Sequence, residues 1–387
     1  MNRRRWLGWG CAHCACALAG AAWAEVGADW APPPRFTRPD VGSDEGGLWA
    51  MMDREETRLR RSPFRMRDAG LEGYLQGIVC KLGGEHCPDM RVYAVRTPHF
   101  NASMAPNGMM QVWSGLLLRV ENEAQLAAVL GHEIGHFMQR HTLARLRDIR
   151  SRTAFGTFIS MFGLVGAVGQ LATIAGAFGF SRDQEREADQ IGLVLLERAG
   201  YDPREAARVW DNLIAELAAN PGNDPARNSP MFATHPPSAE RAQALAERAA
   251  GRSGALGEAD YAARLAPLRF ELLADELKRG RFDETLVLLD RMLQHQPGQA
   301  ELLYYRGETR RQRNQVGDLG LALDDLQAAV HEGGEPPATH RAIGYLCRDL
   351  RQPEASRQAF ERYLELAPQA PDAALIRHAL DEGKPSS

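Results

Sequence analysis

The chain has 387 residues, 44% of them hydrophobic and 25% charged, with a mean hydropathy of −0.37. At roughly 100–200 residues per domain, this length suggests two or three domains able to bury full cores without disulfide staples, which excludes a disordered or collagen-like chain. The 46 Lys and Arg against 50 Asp and Glu leave a formal charge of −4. No global basic field exists to attract nucleic acid, so nucleic acid is not expected as a partner.

Arg3, Arg4 and Arg5 open the chain, followed by an uncharged run from residue 6 to 24 that closes on Ala22-Trp23-Ala24, a small-x-small pattern. This predicts a secretory signal peptide over residues 1–24. An uncleaved anchor is the alternative, although the run barely reaches the roughly 20 residues that span a bilayer. Cleavage removes three Arg and no acid, which moves the charge from −4 to −7. It also removes Cys11, Cys14 and Cys16, leaving Cys80, Cys87 and Cys347. Cys80 and Cys87 enclose a Gly-containing loop that would close a disulfide in an oxidising compartment. A metal site there using His86 lacks a second ligand pair at zinc-finger spacing. Cys347 falls in a helical pattern and is expected to be a buried free thiol.

Residues 25–47, with Pro32-Pro33-Pro34, read as an extended tether without a core of its own. Helical patterning starts near residue 48. Residues 92–95 and 100–104 are short and β-like, and Asn107-Gly108 before residues 109–113 is a hairpin signal, so a small sheet is expected. From Ser114 nearly everything to residue 150 reads as helix. Residues 153–181 carry no charge but six Gly. Helices resume over 182–197 and 203–219, and 251–257 is a linker between a first domain, 48–250, and a second, 258–382. In the second, amphipathic helices are punctuated by Pro297, Pro336 and Pro368. Their spacings, 39 and 32 residues, bracket the roughly 34-residue period of tetratricopeptide repeats. Tyr304, Gly307, Ala322, Leu323, Gly344, Tyr345, Ala355 and Phe360 fall near the packing positions of such repeats; a plain helical bundle is the alternative.

The residues that carry chemistry begin with His132-Glu133-Ile134-Gly135-His136. On a helix, positions i and i+4 share a face, so both imidazoles can bind one zinc with Glu133 beside them as general base. Zinc needs a third protein ligand. A third His at HExxHxxGxxH spacing is ruled out, because Gln139 and Thr142 stand at those positions, and His141, rotated off the ligand face if the helix continues, is expected behind a ligand or at the surface. A carboxylate from residues 182–189 is the other route. Spacing leaves Glu185 and Glu187 both open, and Asp189, at i+4 from Glu185, can hold a zinc-bound His by its second nitrogen. His136 and this helix must meet at one metal, so the uncharged stretch 153–181 cannot cross a membrane once. Two crossings need about 40 apolar residues. It must return to its own side, as a Gly-bent hairpin covering the cleft or a shallow membrane-contacting loop.

Taken together, Asn101-Ala102, Gly115-Leu116-Leu117, His132 to His136, Ser181-Arg182-x-x-Glu185-x-x-Ala188-Asp189 and Thr234-His235-Pro236 resemble the HtpX, Oma and CAAX-protease group of zinc metallopeptidases. With an export signal and a helical repeat array, the chain is most similar to the branch of that group acting in outer-membrane β-barrel assembly. The resemblance implies a mainly α fold with a small β-sheet: a gluzincin-type metallopeptidase domain followed by an α-solenoid of tetratricopeptide repeats. It implies one Zn2+ per chain on His132, His136 and Glu185, with Glu133 as catalytic base and Asp189 behind a ligand. His235 matches a His-Pro motif whose His can take the fourth zinc position and hold the enzyme inactive. Arg241 could support an oxyanion, and Asn101, Ala102, Ser103 and Met104 offer a strand edge for substrate. The function implied is a periplasmic endopeptidase, with possible chaperone activity, that degrades unfolded or stalled outer-membrane proteins, its repeats docking substrate or assembly machinery. A non-proteolytic scaffold acting through the repeats is the competing expectation.

Overall fold

A computed structural model of the chain describes residues 26–27, 29–148, 179–220, 229–236 and 239–382. The predicted signal peptide and all but the last three residues of the uncharged stretch 153–181 lie outside them. Among the described residues, no helix is long and apolar enough to cross a membrane. The architecture is mainly helical with one small sheet, as expected.

Residues 29–40 form neither helix nor strand. They are nevertheless laid across the molecule, with Val26, Trp30 and Phe36 packed on the main core and Arg35 paired with Asp89. Helix α1 (Asp44–Arg61) starts where the Ser43 side chain accepts from Gly46 N–H. Its acidic first turn and basic last turn suit the helix dipole. Asp68 caps α2 (Ala69–Gly83) in the same way. A 3-10 turn, Gly84–Asp89, follows, and Cys80 and Cys87 are joined as a disulfide across it.

The sheet contains β1 (Arg91–Val95), β2 (Ala102–Met104) and β3 (Met109–Trp113), in the order β1-β3-β2. The β2–β3 hairpin is the one signalled by Asn107-Gly108. Gly108 has φ of 83°, and a Cβ there would stand 2.0 Å from Asp89 O, so only glycine fits. The parallel pairing of β1 with β3 was not expected. It leaves β2 on the outer edge.

The stretch from residue 114 that reads almost throughout as helix is helical, in three pieces: α3 (Ser114–Arg119), α4 (Glu123–Met138) and α5 (His141–Asp148). The chain turns extended at Val120, and Asn122 caps α4 by accepting from Gln125 N–H. Arg140, at φ 56°, separates α4 from α5. Next come α6 (Arg182–Arg198), opened by a Ser181–Gln184 capping box, then α7 (Glu205–Ala218), α8 (Pro230–Thr234) and α9 (Ala239–Ala249).

Beyond the turn at 251–257 lie α10 (Glu258–Lys278), α11 (Phe282–His295), α12 (Ala300–Arg313), α13 (Asp318–Glu332), α14 (Ala338–Asp349), α15 (Pro353–Leu366) and α16 (Ala373–Glu382). They pack as pairs. In α12–α13, Gly307 lies against Ala322 and Leu326, and in α14–α15, Gly344 lies against Phe360. Ala355 is exposed; its expected packing place is taken by buried Ser356, whose Oγ donates to Gly344 O at 2.8 Å. Cys347 is a buried free thiol.

One hydrophobic core runs from Leu71 through α4, α6 and α7 to Leu302 and Leu346, so the turn at 251–257 does not divide it. A buried ion cluster adds to this join. Arg119 of α3 meets Glu216 of α7 and Glu276 of α10, each at 2.7 Å.

Candidate metal centre

The site is built where α4 crosses α6 at close range. Cβ atoms placed on Gly131 and Gly135 of α4 would stand 3.2 Å from Gly192 O and 3.0 Å from Ala188 O, so small residues let the two backbones touch. That approach carries Glu185, one turn inside α6, to the imidazoles of His132 and His136. Glu185 is 1% exposed. The Glu187 side chain, by contrast, is 41% exposed and turns toward His141, so of the two carboxylates that spacing left open it is Glu185 that stands among the imidazoles. His235, just past α8, completes the group. One potential ligand atom from each of His132, His136, Glu185 and His235 lies within 4.8 Å of the others, all four residues being buried.

The ring contacts fix how these nitrogens are used. His132 Nδ1 lies 2.9 Å from Asp189 Oδ1, and Arg241 grips Asp189 through Nε at 2.7 Å and Nη2 at 2.9 Å. A carboxylate so held accepts, so the Nδ1 of His132 carries the proton and its Nε2 presents a lone pair. That Nε2 is 3.1 Å from His136 Nε2 and 3.1 Å from His235 Nδ1. Glu185 Oε1 is 2.9 Å from His235 Nδ1 and 3.4 Å from His136 Nε2. Lone pairs and a carboxylate facing one another at this range repel unless a proton or a metal cation stands between them. Ligands at 2.0–2.1 Å around a tetrahedral zinc are separated by roughly 3.3 Å, so the residues present fit zinc.

Burial is the largest influence on His136, Glu185, Asp189 and Glu133. It lowers His136 well below the ordinary imidazole range, which leaves the ring neutral. Burial would raise Glu185, but His235, His136 and Arg241 outweigh it and hold the carboxylate ionised. Burial likewise opposes the charge on Asp189, and Arg241 and His132 overcome it. Glu133 is the exception: burial raises its pKa against the pull of His235 and His132. Its Oε1 has no hydrogen-bond partner and lies 3.4 Å from His235 Nε2. The Met104 backbone of β2 faces this carboxyl group and favours its charged form, a smaller influence than burial. The putting together of a proton acceptor and the edge of a sheet is what peptide hydrolysis requires.

The model of Peptidase family M48 matches residues 66–249. That segment is similar to the peptidase domains of this family. Within curated proteins, the chain is 30% identical over 227 residues to the beta-barrel assembly-enhancing protease of Yersinia pestis, covering 53% of this chain and 45% of that protein. It is 33% identical over 156 residues to the mitochondrial metalloendopeptidase OMA1 of Arabidopsis thaliana, covering 40% of this chain and 31% of that one. It is also 34% identical over 160 residues to the metalloprotease YcaL of Escherichia coli K12, covering 40% and 60%. The chain therefore spans about half the length, or less, of the first two relatives and less than two thirds of the third.

Around this site, the structure brings His132, Glu133, His136, Glu185, Asp189 and His235 together. Asn101 precedes β2, whose Ala102, Ser103 and Met104 pair with β3 on one side only. Beside this strand a cavity is lined by Phe36, Trp49, Met104, His136 and Phe137, among others. Arg241 is set on carboxylates: besides Asp189 it meets Glu185, and its Nη1 donates to Pro236 O at 3.0 Å.

Two partners of the site, Phe180 and Trp210, escape the sequence pattern. Phe180 stacks on His136 with centroids 4.0 Å apart, while its N–H donates to Thr234 O. Trp210 of α7 meets His132 edge-on at 6.1 Å. His141, expected off the ligand face of a continuing helix, is folded back by the break at Arg140 so that its Nδ1 lies 2.9 Å from His136 Nδ1. No helical periodicity signals that turn, since Arg is not a residue that announces a positive φ.

Proposed function

We propose that the chain is an exported zinc metalloendopeptidase of the periplasm, holding one zinc per chain, that degrades misfolded or stalled outer-membrane β-barrel proteins. The observation that carries this reading is the convergence of His132, His136 and Glu185 beside Glu133 and the free edge of β2. The relatives' names supply the substrate class, and the sequence pattern of residues 1–24 supplies export.

Zinc, when bound by His132, His136 and Glu185, lowers the pKa of a water and polarises a carbonyl. Glu133 accepts the proton of the attacking water and returns it to the leaving amine. Its raised pKa suits both steps, because burial disfavours its charge. The Met104 backbone faces that carboxyl at the end of β2, so a substrate strand added along Asn101, Ala102, Ser103 and Met104 brings its backbone to the base. Backbone pairing accepts many sequences, which suits unfolded clients.

His235 sits among the ligands and must withdraw to admit water, so it holds the site closed at rest. Arg241 supports His132 and Glu185 through the carboxylates it touches; the oxyanion contact expected of it would require the guanidinium to leave them. Helices α11–α16 act as a tetratricopeptide-type array, following a peptidase domain over 48–250, and dock clients or assembly machinery.

Casein and an unfolded outer-membrane protein, each incubated with zinc-loaded protein, test this. Glu133→Gln is expected to lose about 10²–10⁴-fold in cleavage, and His235→Ala to cleave at least as fast as wild type. If wild type and His235→Ala both bind zinc yet leave the substrates whole, the peptidase reading fails and a scaffold acting through its repeats replaces it.

A further inference from the structure

We propose that His141 is a positioning residue for the metal centre: together with Glu187 it fixes the tautomer and the ring plane of His136. The proposal rests on reading His136 as a ligand through Nε2.

His141 is 5% exposed, and its two nitrogens bridge a ligand to a carboxylate. Nδ1 lies 2.9 Å from His136 Nδ1, and Nε2 lies 3.2 Å from Glu187 Oε2. Glu187 is held in turn by Gln139, whose Nε2 donates to Oε1 at 2.7 Å. Two facing Nδ1 atoms at hydrogen-bond distance share one proton. If His136 gives the lone pair of Nε2 to a cation, that proton is on His136 Nδ1, and His141 Nδ1 must accept it. The remaining proton of a neutral His141 is then on Nε2, where it donates to Glu187. One assignment satisfies every bond in the chain from His136 to Glu187.

The two zinc-facing imidazoles are thus held differently. His132 is backed directly by Asp189, whose charge is matched by Arg241. His136 is backed by a neutral ring, with the carboxylate one residue further out. Phe180, stacked on the face of the His136 ring, prevents the ring from turning to find another partner. The left-handed backbone of Arg140 is what brings His141 into place. A non-glycine residue in that region is strained, and such strain persists where the surrounding structure imposes it.

The zinc dissociation constant, measured by competition with a chromophoric chelator, and the melting temperature of the metal-free protein test the proposal on wild type, His141→Phe, His141→Gln and Glu187→Leu. His141→Phe keeps a planar ring without an acceptor and is expected to weaken zinc binding about 10–100-fold. His141→Gln, whose carbonyl accepts from His136 and whose amide donates to Glu187, is expected to recover most of that affinity. Glu187→Leu alters an exposed position, so it stays informative if His141→Phe fails to fold; several-fold weaker zinc is expected. Equal affinity in wild type and His141→Phe, or a Gln variant as weak as Phe with the same loss of metal-free stability, would overturn the relay. A wild type that binds no zinc would overturn the metal-centre reading itself, and the relay with it.

Discussion

Replacing Gly192 by Ala tests whether contact between two helix backbones sets the metal site. A Cβ at Gly192 would stand 2.9 Å from His132 N, 3.1 Å from Gly131 C and 3.2 Å from His132 Cα. All three are backbone atoms, which no rotamer change can move aside. Carbon contacts are most favourable at about 3.5–4.0 Å, so α6 must retreat from α4 by roughly 0.5 Å. Overpacking of this kind costs about 1–3 kcal/mol, offset by about 0.5–1 kcal/mol from replacing a helical glycine. A net loss of about 0.5–2 kcal/mol is expected, a fall of a few degrees in melting temperature. Glu185 moves with α6 while His132 and His136 stay on α4, so cleavage should fall about tenfold or more, a displacement of about 1 Å being worth 10²-fold. Gly73→Ala is the control: Gly73 is exposed in α2 with nothing within 4 Å of its would-be Cβ, and the substitution should stabilise. Melting curves and cleavage assays on both variants read the contrast. If Gly192→Ala stabilises as Gly73→Ala does and cleaves normally, the close-approach argument is wrong.

Arg119→Met removes the cation between two buried carboxylates and should cost about 3 kcal/mol, the low end for a broken buried pair, because Arg291 and Arg279 still face Glu216 and Glu276; chemical denaturation measures it. Burial pushes the Glu276 pKa up, but Arg119 and Arg279 outweigh it, so the folded value lies below the ordinary 4.5. Its contribution is complete above that pH and lost as the pH falls through the lower folded value. Wild-type melting temperature should therefore drop below about pH 4.5, and Arg119→Met should show less of that drop. Joint replacement of Cys80 and Cys87 by Ala opens a short loop and should cost about 2.5 kcal/mol, seen as a lower melting temperature that reductant no longer affects.

The chemistry was legible because it follows local rules. His132, Glu133 and His136 share a helix face by spacing alone, Ser181 announces α6, and Asn107-Gly108 announces the β2–β3 hairpin. What escaped depends on contacts distant in sequence or on backbone states that residue type does not signal. The parallel β1–β3 pairing joins segments across an intervening strand, and the breaks at Val120 and Arg140 interrupt an otherwise continuous helical pattern. Trp30 and Phe36 sit in a Pro-rich segment whose composition suggests a loose tether, yet both side chains find the core. The choice of Glu185 over Glu187 needed the angle at which α6 meets α4, which Gly131, Gly135, Ala188 and Gly192 set together.

Crystals grown with zinc and measured on both sides of the zinc absorption edge test the central claim most directly. The account predicts one anomalous peak per chain, about 2.0–2.2 Å from His132 Nε2, His136 Nε2 and a Glu185 oxygen, and none in Glu185→Ala crystals. A peak coordinated by Glu187 in place of Glu185, or no peak between the two helices, would contradict it.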